Sequence, residues 1–199
     1  MTLTPVPRDH LATVVTTLEM RARPRPAPLP ASSLRIVRWK QPKSEAYLAL
    51  FKRVGAPWLW YSRLAMAPER LRALLDDPAV EVYAAVDRAG IEVGMIELDF
   101  RTDGQCCLSY FALVPELVGQ GHGRWLMAQV MAMGWRAGVE RMWVNTCTLD
   151  HPSALGFYRK VGFEAIARTI ETFPDPRAIG LLPEDAAPQM PFLGAVSRR

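Results

Sequence analysis

Val114-Pro115-Glu116-Leu117-Val118-Gly119-Gln120-Gly121-His122-Gly123-Arg124-Trp125-Leu126-Met127 is the stretch whose reading decides the fold. An apolar run, Leu108 to Val114, leads into it, and an apolar helical pattern leads out. Between them glycines occupy alternate positions, Gly119, Gly121 and Gly123. A strand, a glycine turn and a helix in that order let successive backbone N–H groups point at one spot. The new helix adds the positive end of its dipole. The unit reads as a cradle for a pyrophosphate.

Upstream of the cradle the pattern predicts an antiparallel meander. Val80 to Val86 is one strand, and Ile91 to Phe100 alternates apolar and polar residues as a second. Cys106 to Val114 is the third, with turns at Asp87-Arg88-Ala89-Gly90 and Thr102-Asp103-Gly104. Two helices precede the meander. One runs from Ser44, read as its N-cap, to Val54, and the other opens at Ala67-Pro68 and stops near Asp76. Leu34 to Trp39 alternates as a half-buried strand. Leu11 to Met20 is rich in β-branched residues and reads as a strand too. The Pro/Arg-rich segment from Arg21 to Pro30 joins the two as a stiff, extended connector.

Downstream, a helix is expected from Gly121 to Arg136 with Gly138 near its end, then a strand at Arg141–Cys147. A second helix follows from Asp150-His151-Pro152 and stops at Gly162, and Phe163 to Thr172 is the last strand. Recurrent prolines from Phe173 onward mark a tail with little regular structure. The chain therefore divides into residues 1–31, an N-terminal strand and connector; 32–172, the main domain; and 173–199, the tail. A meander combined with βαβ crossovers places it in the α/β (α+β) class. The expected architecture is a mixed, mostly antiparallel central sheet with helices on both faces.

Composition narrows the function. The chain has 199 residues, 50% hydrophobic and 22% charged, enough for an ordinary core. Its net charge of +4 has local causes, Arg21, Arg23 and Arg25 in the connector and Arg198 and Arg199 at the end. No basic stripe with interleaved aromatics argues for nucleic acid as a partner. No apolar run approaches the roughly 20 residues that span a bilayer, and no signal-peptide pattern opens the chain. The three cysteines, two of them adjacent, form neither a disulfide framework nor a zinc pattern. The expectation is a reduced cytoplasmic protein without a metal.

Two stretches resemble one family. Val118-Gly119-Gln120-Gly121-His122-Gly123 resembles the acyl-CoA signature Arg/Gln-x-x-Gly-x-Gly/Ala of the GNAT superfamily of N-acetyltransferases. His151-Pro152-Ser153-Ala154-Leu155-Gly156-Phe157-Tyr158-Arg159-Lys160-Val161-Gly162-Phe163 resembles its later signature, Asn-x-x-Ala-x-x-x-Tyr-x-x-x-Gly-Phe. One helix and one strand separate them, as the family requires. The resemblance covers roughly Leu34 to Glu171.

The resemblance implies splayed central strands with acetyl-CoA between them. Leu113 and Val114 would serve the pantetheine arm, and a backbone N–H near Leu113 would polarise the thioester carbonyl. Gly119, Gln120, Gly121, His122, Gly123 and Arg124 would hold the pyrophosphate, and His151 and Ala154 would border the cofactor. Tyr158 matches the general acid that protonates the leaving thiolate. The chain departs from the family at Val118, where Arg or Gln is usual, so Arg124 or the backbone alone must serve. His151 replaces the usual Asn, and Cys107 stands where many members carry a catalytic Glu. Glu97, mid-strand among apolar residues, or Asp99 on the same face is then the candidate base, with a water relay as the other route. Trp58, Trp60 and Tyr61, with Arg63, fall in the region that lines the family's acceptor pocket. Cys107 lacks an evident histidine partner and reads as packing rather than as a nucleophile. The expected function is acetyl transfer to a small-molecule, peptide or protein amine, and the resemblance implies a homodimer. The rival is an acyl-CoA-binding sensor without turnover, and transfer to a hydroxyl would use the same site.

Overall fold

The computed structural model describes residues 3–25 and 27–194. Seven strands form one sheet: β1 (His10–Met20), β2 (Arg35–Trp39), β3 (Val80–Val86), β4 (Glu92–Asp99), β5 (Gln105–Leu113), β6 (Arg141–Cys147) and β7 (Glu164–Pro174). The helices are α1 (Ser44–Gly55), α2 (Pro68–Asp76), α3 (His122–Gly134) and α4 (Ala154–Val161). The spatial order is β2-β3-β4-β5-β6-β1-β7. Every neighbouring pair is antiparallel except β5 and β6. The mixed, mostly antiparallel sheet and its place in the α/β class are as expected.

Strand alternation sends successive side chains to opposite faces and so builds two cores. Val82, Ala84, Val86 and Met95 pack with Tyr47, Leu50, Phe51 and Val54 of α1 and Leu71, Leu74 and Leu75 of α2. Tyr83, Ala85, Ile96 and Leu98 face the other way, toward Trp125, Leu126, Met127 and Val130 of α3 and Tyr158 of α4. Helices thus cover both faces. No helix among the described residues is long and apolar enough to cross a membrane.

Helix boundaries differ locally from the expectations. Lys43, not Ser44, is the residue before α1, and its side chain makes no capping bond. The third helix ends at Gly134, short of Arg136, and Gly134 is seated on β6. A Cβ there would stand 2.6 Å from the end of the Met142 side chain. Gly138 (φ +86°) serves the turn into β6 instead. The fourth helix starts at Ala154, because Asp150 and His151 are engaged in the preceding turn. Gly162 closes it in the left-handed conformation, φ +112°, as its position suggested.

The N-terminal strand lies inside the sheet. It pairs with β6 on one side, Leu18 opposite Val144, and with β7 on the other, Thr13 opposite Glu171. Leu18 is fully buried there. The connector then returns to β2 at the far edge and is tied down on the way. Ser32 Oγ meets His122 Nδ1 at 2.9 Å, at the start of α3. The tail after β7 packs as irregular chain around Arg177. This buried arginine pairs with buried Asp175 and donates to the carbonyls of Ala186 (3.1 Å) and Met190 (2.8 Å).

Removing residues 1–31 leaves β6 and β7 without their shared partner, so the shortened chain is expected to be insoluble or unfolded. In the full chain, Leu18→Ala should cost about 2–5 kcal/mol, as large-to-small changes at buried sites do. Urea unfolding followed by circular dichroism measures it.

Candidate active site

The site begins with two strands that part. β5 and β6 pair in parallel only over Gln105–Cys107 and Arg141–Trp143. Just beyond, the β4–β5 register slips between Glu97 and Leu98, so that Ser109 is an extra residue on β5. Such a bulge bends its strand. The gap opens at this point into a cleft of about 430 Å³. Val114 N–H donates to Val93 O at 2.9 Å. Antiparallel alternation therefore turns the N–H and C=O groups of Leu113 and Phe111 away from β4, toward the gap.

The glycine turn forms one end of the cleft. Pro115–Leu117 makes a short 3-10 turn, Val118 is extended, and Gly119 and Gly121 have φ of +82° and +87°. A side chain would be strained at both glycines. Among the described residues, no protein acceptor takes the backbone N–H of Gly119, Gln120, Gly121, His122 or Gly123. Nothing lies within 4 Å of where a Cβ would stand at Gly119, Gly121 or Gly123. Consecutive free donors, open space and the start of α3 make an anion cradle that needs no cationic side chain. Val118 and Arg124 also line it.

The opposite wall comes from β6 and α4. Val144, Asn145, His151, Ala154, Phe157 and Tyr158 line it. Tyr158 is 7% exposed and packs among Phe111, Phe157 and Phe163. Burial, and secondarily the charge of Asp150, raise the pKa of its hydroxyl. It therefore stays protonated at neutral pH and is in the form that donates a proton. His151 accepts the Ser153 N–H at Nδ1 (3.1 Å), and its ring lies edge-on to Trp58 at 5.3 Å. This contact at the head of α4 is a helix-entry role within the cleft.

Asp150, read from sequence only as part of a helix start, is a cleft residue. Its Oδ2 accepts from Thr146 Oγ1 (2.8 Å) and from Cys147 N–H (2.9 Å), closing the turn after β6. Trp58 and Trp60 stand at the same end of the cleft, on the turn after α1. Between them Leu59 (φ +56°) is buried against Leu182 and Ala187 of the tail. Gln189 of the tail donates to Pro57 O at 2.7 Å. The tail thus backs the aromatic turn.

Several residues singled out from sequence lie elsewhere. Tyr61 stacks on Phe173 at 4.5 Å and donates to Glu171. The Gln120 amide donates to Glu116 O, and His122 is held by Ser32. The Val114 side chain joins the α1 core. Asp99 pairs with Arg101. Glu97, fully buried, accepts from Arg63 at 2.6 Å and from the Tyr47 hydroxyl at 2.5 Å. Burial works against the Arg63 charge, but Glu97 beside it more than compensates and keeps the guanidinium protonated. Burial, and then the Glu97 charge, push the Tyr47 hydroxyl well up. Glu97 is thus the anionic half of a closed pair under α1, not a lining residue of the cleft. Arg63→Ala is expected to lose about 3–5 kcal/mol by stranding that carboxylate. Adding Glu97→Leu should restore much of it, which paired urea titrations would read.

The acetyltransferase (GNAT) family model matches residues 37–163. No curated protein matches in sequence. Solved structures do match. A GCN5-related N-acetyltransferase from Sphaerobacter thermophilus is 18% identical with a TM-score of 0.59, over 81% of this chain and 51% of that one. A functionally unknown conserved protein from Staphylococcus epidermidis ATCC 12228 is 15% identical with a TM-score of 0.57, over 83% and 63%. The chain therefore spans about half to two thirds of the length of these two. An aminoglycoside acetyltransferase from an uncultured soil metagenomic sample is 20% identical with a TM-score of 0.53, over 65% and 88%. At these identities the structures speak for the fold. The family match, which spans well over half of the chain, shows that it belongs to the acetyltransferase (GNAT) family.

Proposed function

We propose that the protein transfers an acetyl group from acetyl-CoA directly to a primary amine. The observation that carries the proposal is the continuity of one cleft. A row of free backbone donors from Gly119 to Gly123 stands at one end, the open edge of β5 runs along it, and the Tyr158 hydroxyl is on its wall. Acetyl-CoA would supply a pyrophosphate for the cradle and an activated acetyl group. The gap-facing backbone of Phe111 and Leu113 suits the pantetheine arm, and the Leu113 N–H suits the thioester oxygen as negative charge grows on it. Tyr158 then gives its proton to the departing thiolate.

Acetyl-CoA is expected to bind the purified chain in calorimetry. Tyr158→Phe should leave that affinity unchanged and lower kcat about 10²–10⁴-fold, the usual worth of a placed acid. Unchanged turnover in the variant would remove Tyr158 from the role. The rival reading, an acyl-CoA-binding module without turnover, draws on the closed Glu97–Arg63 pair. It predicts binding with no transfer to any amine.

A covalent route through cysteine finds no support. Burial pushes the thiols of Cys106 and Cys107 each up to about 12, so neither carries thiolate at neutral pH. The Cys107 sulfur accepts only a long contact from the Ser109 hydroxyl, 3.8 Å. Iodoacetamide at neutral pH should leave both unmodified in the folded protein and alkylate them in urea, as mass spectrometry would show. Cys107→Ser should retain transfer.

A further inference from the structure

Besides the exposed Glu171 on Tyr61, two acidic side chains approach the aromatic residues after α1, and their surroundings differ in one respect. Glu97 already has its cation, Arg63. Asp150 has none: among the described residues no Lys, Arg or His lies within ion-pair distance of it. Its Oδ2 is fixed by Thr146 and by the Cys147 N–H. Among the described residues its Oδ1 has only the Trp60 indole N–H at 3.5 Å, a long and weak contact. A half-buried carboxylate beside rings and without a counter-cation costs free energy that a cationic ligand would recover.

The walls suit the same ligand. Trp58 and Trp60 line the cleft with Asp150, and the neighbouring Tyr110 ring already carries the Arg63 guanidinium at 4.9 Å. Aromatic faces attract cations and cover flat apolar groups. Tyr158 lines the same cleft as Asp150. The uncompensated anion, the aromatic walls and the proton donor therefore share one compartment.

Resting on the transferase reading, we infer that Asp150 binds the acceptor's ammonium group and takes its proton, which makes the substrate class a protonated primary amine with a flat or apolar body. In the step, one N–H bond of the ammonium breaks and an O–H bond forms at Asp150 Oδ1. The freed amine forms the C–N bond to the acetyl carbon while the C–S bond breaks. Tyr158 protonates the sulfur and regains a proton from the new amide nitrogen. Asp150 releases its proton to water, so the sum is ammonium plus thioester giving amide, thiol and one proton.

The test compares the full chain with Asp150→Asn, in which the remaining oxygen can still serve Thr146 and Cys147. The two probes are 2-phenylethylamine, an ammonium at neutral pH, and phenylhydrazine, of similar size and unprotonated there. The variant should keep its acetyl-CoA affinity and its urea midpoint. Its kcat/KM should fall about 100-fold for 2-phenylethylamine, the worth of a placed base, and stay near wild type for phenylhydrazine. Quenching of tryptophan emission by 2-phenylethylamine, with coenzyme A present and no turnover, should weaken about tenfold, in line with a hydrogen bond to a charged group. Asp150→Glu should recover part of both losses. Equal losses on the two nucleophiles, or none on either, would overturn the assignment while transfer itself stands. A wild-type chain that binds acetyl-CoA and acetylates neither probe would overturn the transferase reading and this inference with it.

Discussion

Everything at the site depends on β5 and β6 being unable to stay together. Parallel strands normally share an even ladder of hydrogen bonds, but these two pair over Gln105–Cys107 and then part at the Ser109 bulge. The separation leaves β5 with an open backbone edge, which in water would invite other strands. Here the edge faces a cleft that the α3 and α4 ends close off. Backbone groups that a continuous sheet would have consumed line the cleft instead.

The division of charge follows from the same layout. One carboxylate, Glu97, sits under α1 and is neutralised within the fold by Arg63, with Tyr47 completing its shell. The other, Asp150, sits where β6 turns into α4, and the fold fixes its position without neutralising it. The first arrangement stabilises a core. The second holds charge ready for something brought from outside, on the wall that also carries Tyr158.

The glycine turn was legible because backbone conformation dictates it: Gly119 and Gly121 both occupy positive φ, and α3 begins directly after them. The Tyr158 helix was legible through its spacing and its Gly162 stop. Glu97 was legible as a buried strand carboxylate but not as a paired one. Its partner Arg63 comes from an irregular stretch whose path depends on tertiary packing, not on periodicity. The same is true of Trp58 and Trp60, whose turn is held by tail residues Leu182, Ala187 and Gln189 far along the chain. The Leu11–Met20 segment was recognisable as a strand. Its seat between β6 and β7 was not, because long-range pairing leaves no local mark on sequence.

That seat has a consequence for how the molecule is made. The partners of β1 are residues 142–147 and 164–174, so β1 must wait for strands made long after it. Its side of the sheet can close only when those strands have left the ribosome, at the entropic cost of a very long loop. Until then β6 has no second neighbour, and the wall that carries Asp150 and Tyr158 has no backing. The wall of the cleft is therefore complete only once segments far apart in the sequence have met.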